Sequence, residues 1–295
     1  MALKNRKFAV LSAVLLALSF LNIVSAQETP VLEEELTSKI DKEKIFSDVE
    51  KDAARNYPQY YQVDQASVKT VLKEVKEDEN ALSPELKDAA QNIQNVQNTL
   101  VTIEKVINIA MKIWDIVKDN APVVNIENKY AVAYPEGITA ASQLTNWKKP
   151  RVYVYGFYAN NLYGVRVIDV EYRVIFNYNG DYKGKGKFLT GVSVVPTKVD
   201  VVWGYRLNMS SFVPDSTVVN VATSENPLAA LQLKLTCKIS TYLKDSTNSS
   251  VYYIQGDGYF SEIASPFKDQ EKGLKKTFIA PLIEGKVSEE KIFGL

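Results

Sequence analysis

Histidine is absent from all 295 residues, and Cys237 is the only cysteine. The first absence excludes Ser-His-Asp and Cys-His catalysis, histidine-ligated zinc or copper, and an imidazole pH switch. The second excludes an intrachain disulfide, so stability rests on an apolar core, for which the chain is long enough. Net charge is missing as well: 35 Lys plus Arg balance 35 Asp plus Glu. A general nucleic-acid binder shows a basic excess, so no nucleic-acid partner is expected. The charge is nevertheless uneven. Residues 27–120 hold 12 basic and 19 acidic groups, and residues 121–295 hold 20 and 16.

Long apolar runs are scarce, and the plainest one opens the chain. Lys4, Arg6 and Lys7 precede a largely apolar stretch from Phe8 to Val24, and Val24-Ser25-Ala26 places small residues before Gln27. That is the layout of a cleavable secretory signal over 1–26, with an uncleaved anchor as the alternative. Gln27 is not a cysteine, so a lipid-anchored amino terminus is not expected. The location these features imply is secreted or periplasmic.

Residues 27–80 are rich in Glu, Lys, Asp and Gln and show no sustained period, which reads as short helices with flexible joins. Ser83-Pro84-Glu85 supplies an N-cap, a first-turn proline and an acid. Leu86, Ala90, Ile93, Val96, Leu100, Ile103, Ile107, Ala110, Trp114 and Val117 then recur at three- and four-residue spacing. This pattern predicts one long amphipathic helix over 86–118, stopped by Asn120 and Pro122. Beyond Pro122 the period is two. Strands are predicted at 129–134, 151–158, 164–178, 182–195, 198–209, 216–223, 229–243 and 250–262. Leu231, Leu233, Leu235, Cys237 and Ile239 form the clearest inner row, making Cys237 a buried structural thiol. Val199, Val201, Trp203, Tyr205 and Leu207 read as another. At Asn179-Gly180-Asp181 a three-residue loop best matches polar faces. It sets Tyr178 opposite Tyr182, Phe176 opposite Gly184 and Tyr172 opposite Phe188. The expected fold is α+β: a helical region over 27–121, an antiparallel β-sandwich of about eight strands over 122–263, and a tail over 264–295.

Little in the chain carries recognisable chemistry. Asp169 and Glu171 share a strand face, yet Lys185 and Lys187 are expected beside them as ion-pair partners rather than a substrate. Lys183-Gly-Lys185-Gly-Lys187 lacks the strand-loop-helix context of a phosphate loop. Gly256-Asp257-Gly258 lacks calcium-loop spacing. No catalytic residue, metal or cofactor is expected.

The aromatics are more informative. Seventeen tyrosines exceed what a buried core favours, because each hydroxyl needs a partner or water. Trp147, Tyr155, Tyr158 and Tyr163 gather around Asn160 and Asn161, and Tyr252 and Tyr259 cluster near the last strand. Rings beside amides predict a non-enzymatic site for a surface glycan, an envelope component or a protein. The alternative places Ile107, Ile113 and Trp114 in a bilayer, with the amphipathic helix released to make peripheral membrane contact. In layout alone, such a helix ahead of a tyrosine-rich sandwich resembles the actinoporin-type pore formers. The acidic 27–80 extension and the Gln/Asn-faced start of the helix depart from that pattern.

Overall fold

Side-chain alternation governs most of the chain from Lys69 onward. The computed structural model describes residues 41–77, 100–123 and 129–265. Two short helices come first, α1 (Lys42–Ile45) and α2 (Asp48–Asn56). Ser47 caps α2 reciprocally with Glu50, satisfying amides that the helix start leaves open. The strands follow: β1 (Lys69–Glu77), β2 (Thr102–Ile107), β3 (Ile113–Lys118), β4 (Ala121–Pro122), β5 (Ala131–Glu136), β6 (Arg151–Asn160), β7 (Arg166–Tyr182), β8 (Lys185–Val201), β9 (Arg206–Phe212), β10 (Val219–Asn220), β11 (Ala229–Ser240), β12 (Asp245–Gln255) and β13 (Phe260–Ala264). They pair antiparallel into two sheets. The first has the order β1-β6-β7-β8-β5-β2; the second has β13-β12-β11-β9-β3-β4, with β10 on β11.

The inner row of β11 is as expected, with Leu231, Leu233, Leu235, Cys237 and Ile239 all buried. Both sheets contribute to one continuous apolar core. At its centre the sheets touch through aromatic rings. Tyr155 on β6 stacks on Tyr172 of β7 at 5.6 Å, and lies 5.3 Å from Tyr252 of β12. Tyr153 stacks on Phe260 of β13 at 3.7 Å. The hydroxyls of Tyr172 and Tyr252 share a 2.8 Å hydrogen bond, so each supplies the polar partner the other needs.

The predicted helix is corrected over its second half: residues 102–107 and 113–118 are strands β2 and β3, and residues 78–99 lie outside those described. β3 pairs with β9, burying Trp114 and Ile116 while Asp115 faces out. Nine of the eighteen residues from Val101 to Lys118 are β-branched, which favours a pleated surface over a helix. Asp119 and Asn120, at φ 48° and 70°, turn the chain from β3 directly into β4. Among the described residues the sheets therefore begin at Lys69, within the stretch expected to be helical, and hold thirteen strands rather than about eight.

The β7–β8 register is also corrected. The turn is Lys183-Gly184, whose φ values of 54° and 78° suit a two-residue hairpin, and Tyr182 pairs with Lys185. Tyr172 consequently faces Pro196, not Phe188. Asn179-Gly180-Asp181 stays within the strand because another loop docks on it. The Trp147 ring lies where a side chain at Gly180 would stand, leaving no room for a Cβ. Asp181 accepts hydrogen bonds from the Thr145 hydroxyl and the Gly184 amide. Two further predicted strands are each divided by a turn. The stretch 198–209 breaks at 202–205, and 250–262 breaks at Gly256–Gly258.

Burial pushes the phenols of Tyr172 and Tyr252 well above the ordinary range, and raises the Cys237 thiol as well. Below about pH 10 these phenols are protonated whether folded or unfolded. Above it the unfolded chain releases protons that the folded chain retains, so stability falls with rising pH by up to ~1.4 kcal/mol per unit per group. In denaturant titrations, Tyr172→Phe or Tyr252→Phe alone is expected to cost about 1–3 kcal/mol by orphaning the other hydroxyl. The double variant should cost less than the sum and lose stability less steeply above pH 10. Additive costs with an unchanged alkaline slope would contradict this account.

Candidate ligand-binding site

The eight aromatic and amide residues singled out from sequence fall into separate places. Tyr155 and Tyr252 are buried in the core between the sheets. Trp147 covers Gly180, and its indole N–H donates to the Ala141 carbonyl. Tyr259 follows the Gly256–Gly258 turn, which is tied to the same end of the first sheet through Arg151, a donor to the Gly258 carbonyl. Asn160, Asn161 and Tyr163 lie at the opposite end of β6, whose ten residues span roughly 33 Å. Tyr158 belongs with this second group, directly across from Asp169. The structure thus brings together Tyr158, Asn160, Asn161 and Tyr163, but not the other four.

The residues assigned to a bilayer are strand residues. Trp114 is buried, Ile107 and Ile113 are partly so, and the helix that was to insert is not formed there. No described helix is long and apolar enough to cross a membrane.

At the Tyr163 end the β6–β7 connection is held by one buried amide. The Asn161 side-chain oxygen accepts from the Tyr163 and Val165 amides, each at 3.0 Å, and the Asn161 backbone N–H donates to the Val165 carbonyl. Gly164, at φ 78°, completes the bend. The consequence is a fixed loop that displays apolar side chains: Leu162, Tyr163 and Val165 are 50%, 60% and 47% exposed. Beside it runs the turn between β8 and β9, joined to β7 by the Val202 N–H to Val167 carbonyl bond. Gly204 adopts φ 84° with the Tyr61 ring packed over it, leaving no room for a side chain. Trp203 stands out from this turn, 52% exposed and edge-on to Tyr61 at 6.2 Å.

Next to these loops, along the start of β7 and the end of β8, lies a groove of about 470 Å³. Val167, Val199, Val201 and Val202 give it apolar lining, and Asn120, Arg166, Asp169 and Asp200 give it polar walls. Arg166 opens β7. Its Nε donates to the Asn160 side-chain oxygen at 3.0 Å, and its guanidinium carbon sits 4.5 Å from the Tyr158 ring centroid. Lys198 bridges Asp169 and Asp200 at 3.1 and 3.0 Å, while Lys73 on β1 reaches Glu171 at 2.8 Å. The expectation of lysine partners for Asp169 and Glu171 holds in kind. The partners, however, are Lys198 and Lys73 instead of Lys185 and Lys187, because the hairpin turns four residues later than predicted. Lys73 holds the Glu171 carboxyl below the usual range, and Glu171, then Tyr158, raise the Lys73 ammonium. Asp200 and Asp169 raise Lys198 likewise.

No three His, Cys, Asp or Glu side chains converge to hold a metal among the described residues. Chemically, the groove offers a stacked guanidinium, two carboxylates sharing an ammonium, apolar lining and an exposed indole close by. Sequence reasoning missed Arg166, Trp203, Asp200, Lys73 and Asn120. Gly204 was the available signal for Trp203, since a glycine inside a predicted strand marks a bend. Comparisons with family models, curated proteins and solved structures return no match.

Replacing Asn161 with Ala removes the acceptor of two loop amides. We expect a loss of about 1–3 kcal/mol and faster hydrogen exchange at Tyr163 and Val165, with the β11–β12 amides unchanged. Unaltered exchange at those two residues would show that the loop is held by something else.

Proposed function

We propose that the chain is an exported, non-enzymatic β-sandwich protein that binds a surface ligand, such as a glycan, an envelope component or a protein. The site is the sheet end where Arg166 meets Tyr158 and Asn160, with Tyr163 on the adjoining loop and Trp203 on the β8–β9 turn. One observation carries this reading: a fixed loop and an adjacent turn hold Tyr163 and Trp203 in solvent beside a groove with polar walls. Large rings are normally covered in a soluble protein, and exposing them on held loops suits stacking against a partner. Asn160 keeps its side-chain oxygen on Arg166, so it acts by orienting the guanidinium, and Asn161 by holding the loop. Export rests on the 1–26 leader pattern.

Two experiments test this. The exported protein should begin at Gln27 on amino-terminal sequencing; an intact Met1 would remove the leader reading. Binding to an array of glycans, peptidoglycan and lipid vesicles should identify a ligand whose affinity drops about tenfold or more with Tyr163→Ala or Trp203→Ala. Trp147→Phe, at the far end, should leave it unchanged. Binding that survives both loop substitutions would place the site elsewhere.

A further inference from the structure

We infer that Arg166 is a recognition residue for a carboxylate, and that the groove beside it takes a carboxylated saccharide. This inference rests on the proposed site and names the class of its ligand. Its starting point is an asymmetry among the cations there. Lys73 is committed to Glu171, and Lys198 to Asp169 and Asp200. Arg166 spends only its Nε, on Asn160, and among the described residues neither of its two Nη groups is taken.

Two contacts fix the guanidinium plane, the Asn160 bond on one edge and the Tyr158 ring at 4.5 Å. A guanidinium held this way presents its remaining donors as a rigid fork that matches the two oxygens of a carboxylate, and little side-chain freedom is left to lose on binding. The stacked ring contributes further, because a cation over a tyrosine face is favoured.

The rest of the groove narrows the ligand. Asp169 and Asp200 share one lysine, so the two carboxylates and the ammonium sum to one negative charge. A polyanion with no donors would be repelled by that wall. A ligand that gives a carboxylate to Arg166 and hydroxyl protons to Asp200 satisfies both walls. The partly exposed Val199, Val201 and Val202 suit the C–H face of a sugar ring, and Trp203, next to Val202 in the chain and exposed, extends the apolar surface. Carboxylate, hydroxyls and an apolar ring face occur together in acidic sugars. The volume of about 470 Å³ falls within the roughly 300–1,000 Å³ range of small-molecule pockets.

The test is titration calorimetry of the full chain with galacturonate, glucuronate and N-acetylneuraminate oligosaccharides, each against its carboxyl-reduced counterpart. At least one acidic oligosaccharide should bind ten times or more tighter than its reduced form. Arg166→Gln should abolish that preference. Arg166→Lys, which keeps the charge but loses the fork, should recover only a minor part of it. Unchanged thermal midpoints for both variants separate recognition from folding. Equal binding of acidic and reduced forms, still lost in Trp203→Ala, overturns the carboxylate assignment while leaving the proposed site in place. Failure of every saccharide to bind overturns the assignment as well, and a negative array then removes the wider reading.

Discussion

The 2.8 Å hydrogen bond between the Tyr172 and Tyr252 hydroxyls is the constraint on which the architecture turns. Both side chains are fully buried, one on each sheet, and a phenol in an apolar core is costly unless its hydroxyl is paired. The pairing works only if β7 and β12 place those residues opposite each other across the core. Tyr155 stacked on Tyr172, and Tyr153 stacked on Phe260, tie β6 and β13 to the same alignment. Close-packed rings tolerate little sliding, so this seam fixes how far each long strand extends past the core.

What projects past the core then defines the surface chemistry. At one end, Trp147 covers Gly180 and Asp181 gathers the Thr145 and Gly184 donors, closing the hairpin over. At the other, β6 and β7 end on a loop locked by Asn161, and β8 gives way to the Trp203 turn. At the first end Trp147 and Tyr259 are partly buried, whereas at the second Tyr163 and Trp203 stand exposed. Ion pairs on the adjoining face take up Lys73 and Lys198, which leaves Arg166 with donors to offer.

Much of the β architecture was legible from the sequence, and the reasons for the failures are physical. On β11 one face is wholly apolar and the other polar, so only one orientation buries the right side chains. Between Val101 and Lys118 apolar residues are so frequent that they satisfy helical and strand spacing together, and β-branching with tertiary pairing decided for strands. The Asn179-Gly180 signal was genuine as a conformational one, since Asn179 is left-handed at φ 66°. It makes an irregularity within the strand instead of a turn, because Trp147 and Asp181 hold the following residues. Surplus tyrosine points to a surface site, yet the Tyr172 and Tyr252 hydroxyls satisfy each other in the core, where Tyr155 packs against both rings. Half of the candidate site could be named because Tyr158, Asn160, Asn161 and Tyr163 are close in sequence. Arg166, Asp200 and Trp203 join them only through strand pairing, which no local pattern reveals.

The proposed ligand site lies at the Tyr163 end of the first sheet, opposite Trp147 and Tyr259. The direct measurement is an amide chemical-shift map of the full chain during titration with a carboxylated oligosaccharide. Perturbations confined to residues 158–166 and 198–204, with the Trp147 and Gly256–Tyr259 segments silent, are the predicted outcome. Shifts centred on Trp147 and Tyr259, or none at all, would contradict it.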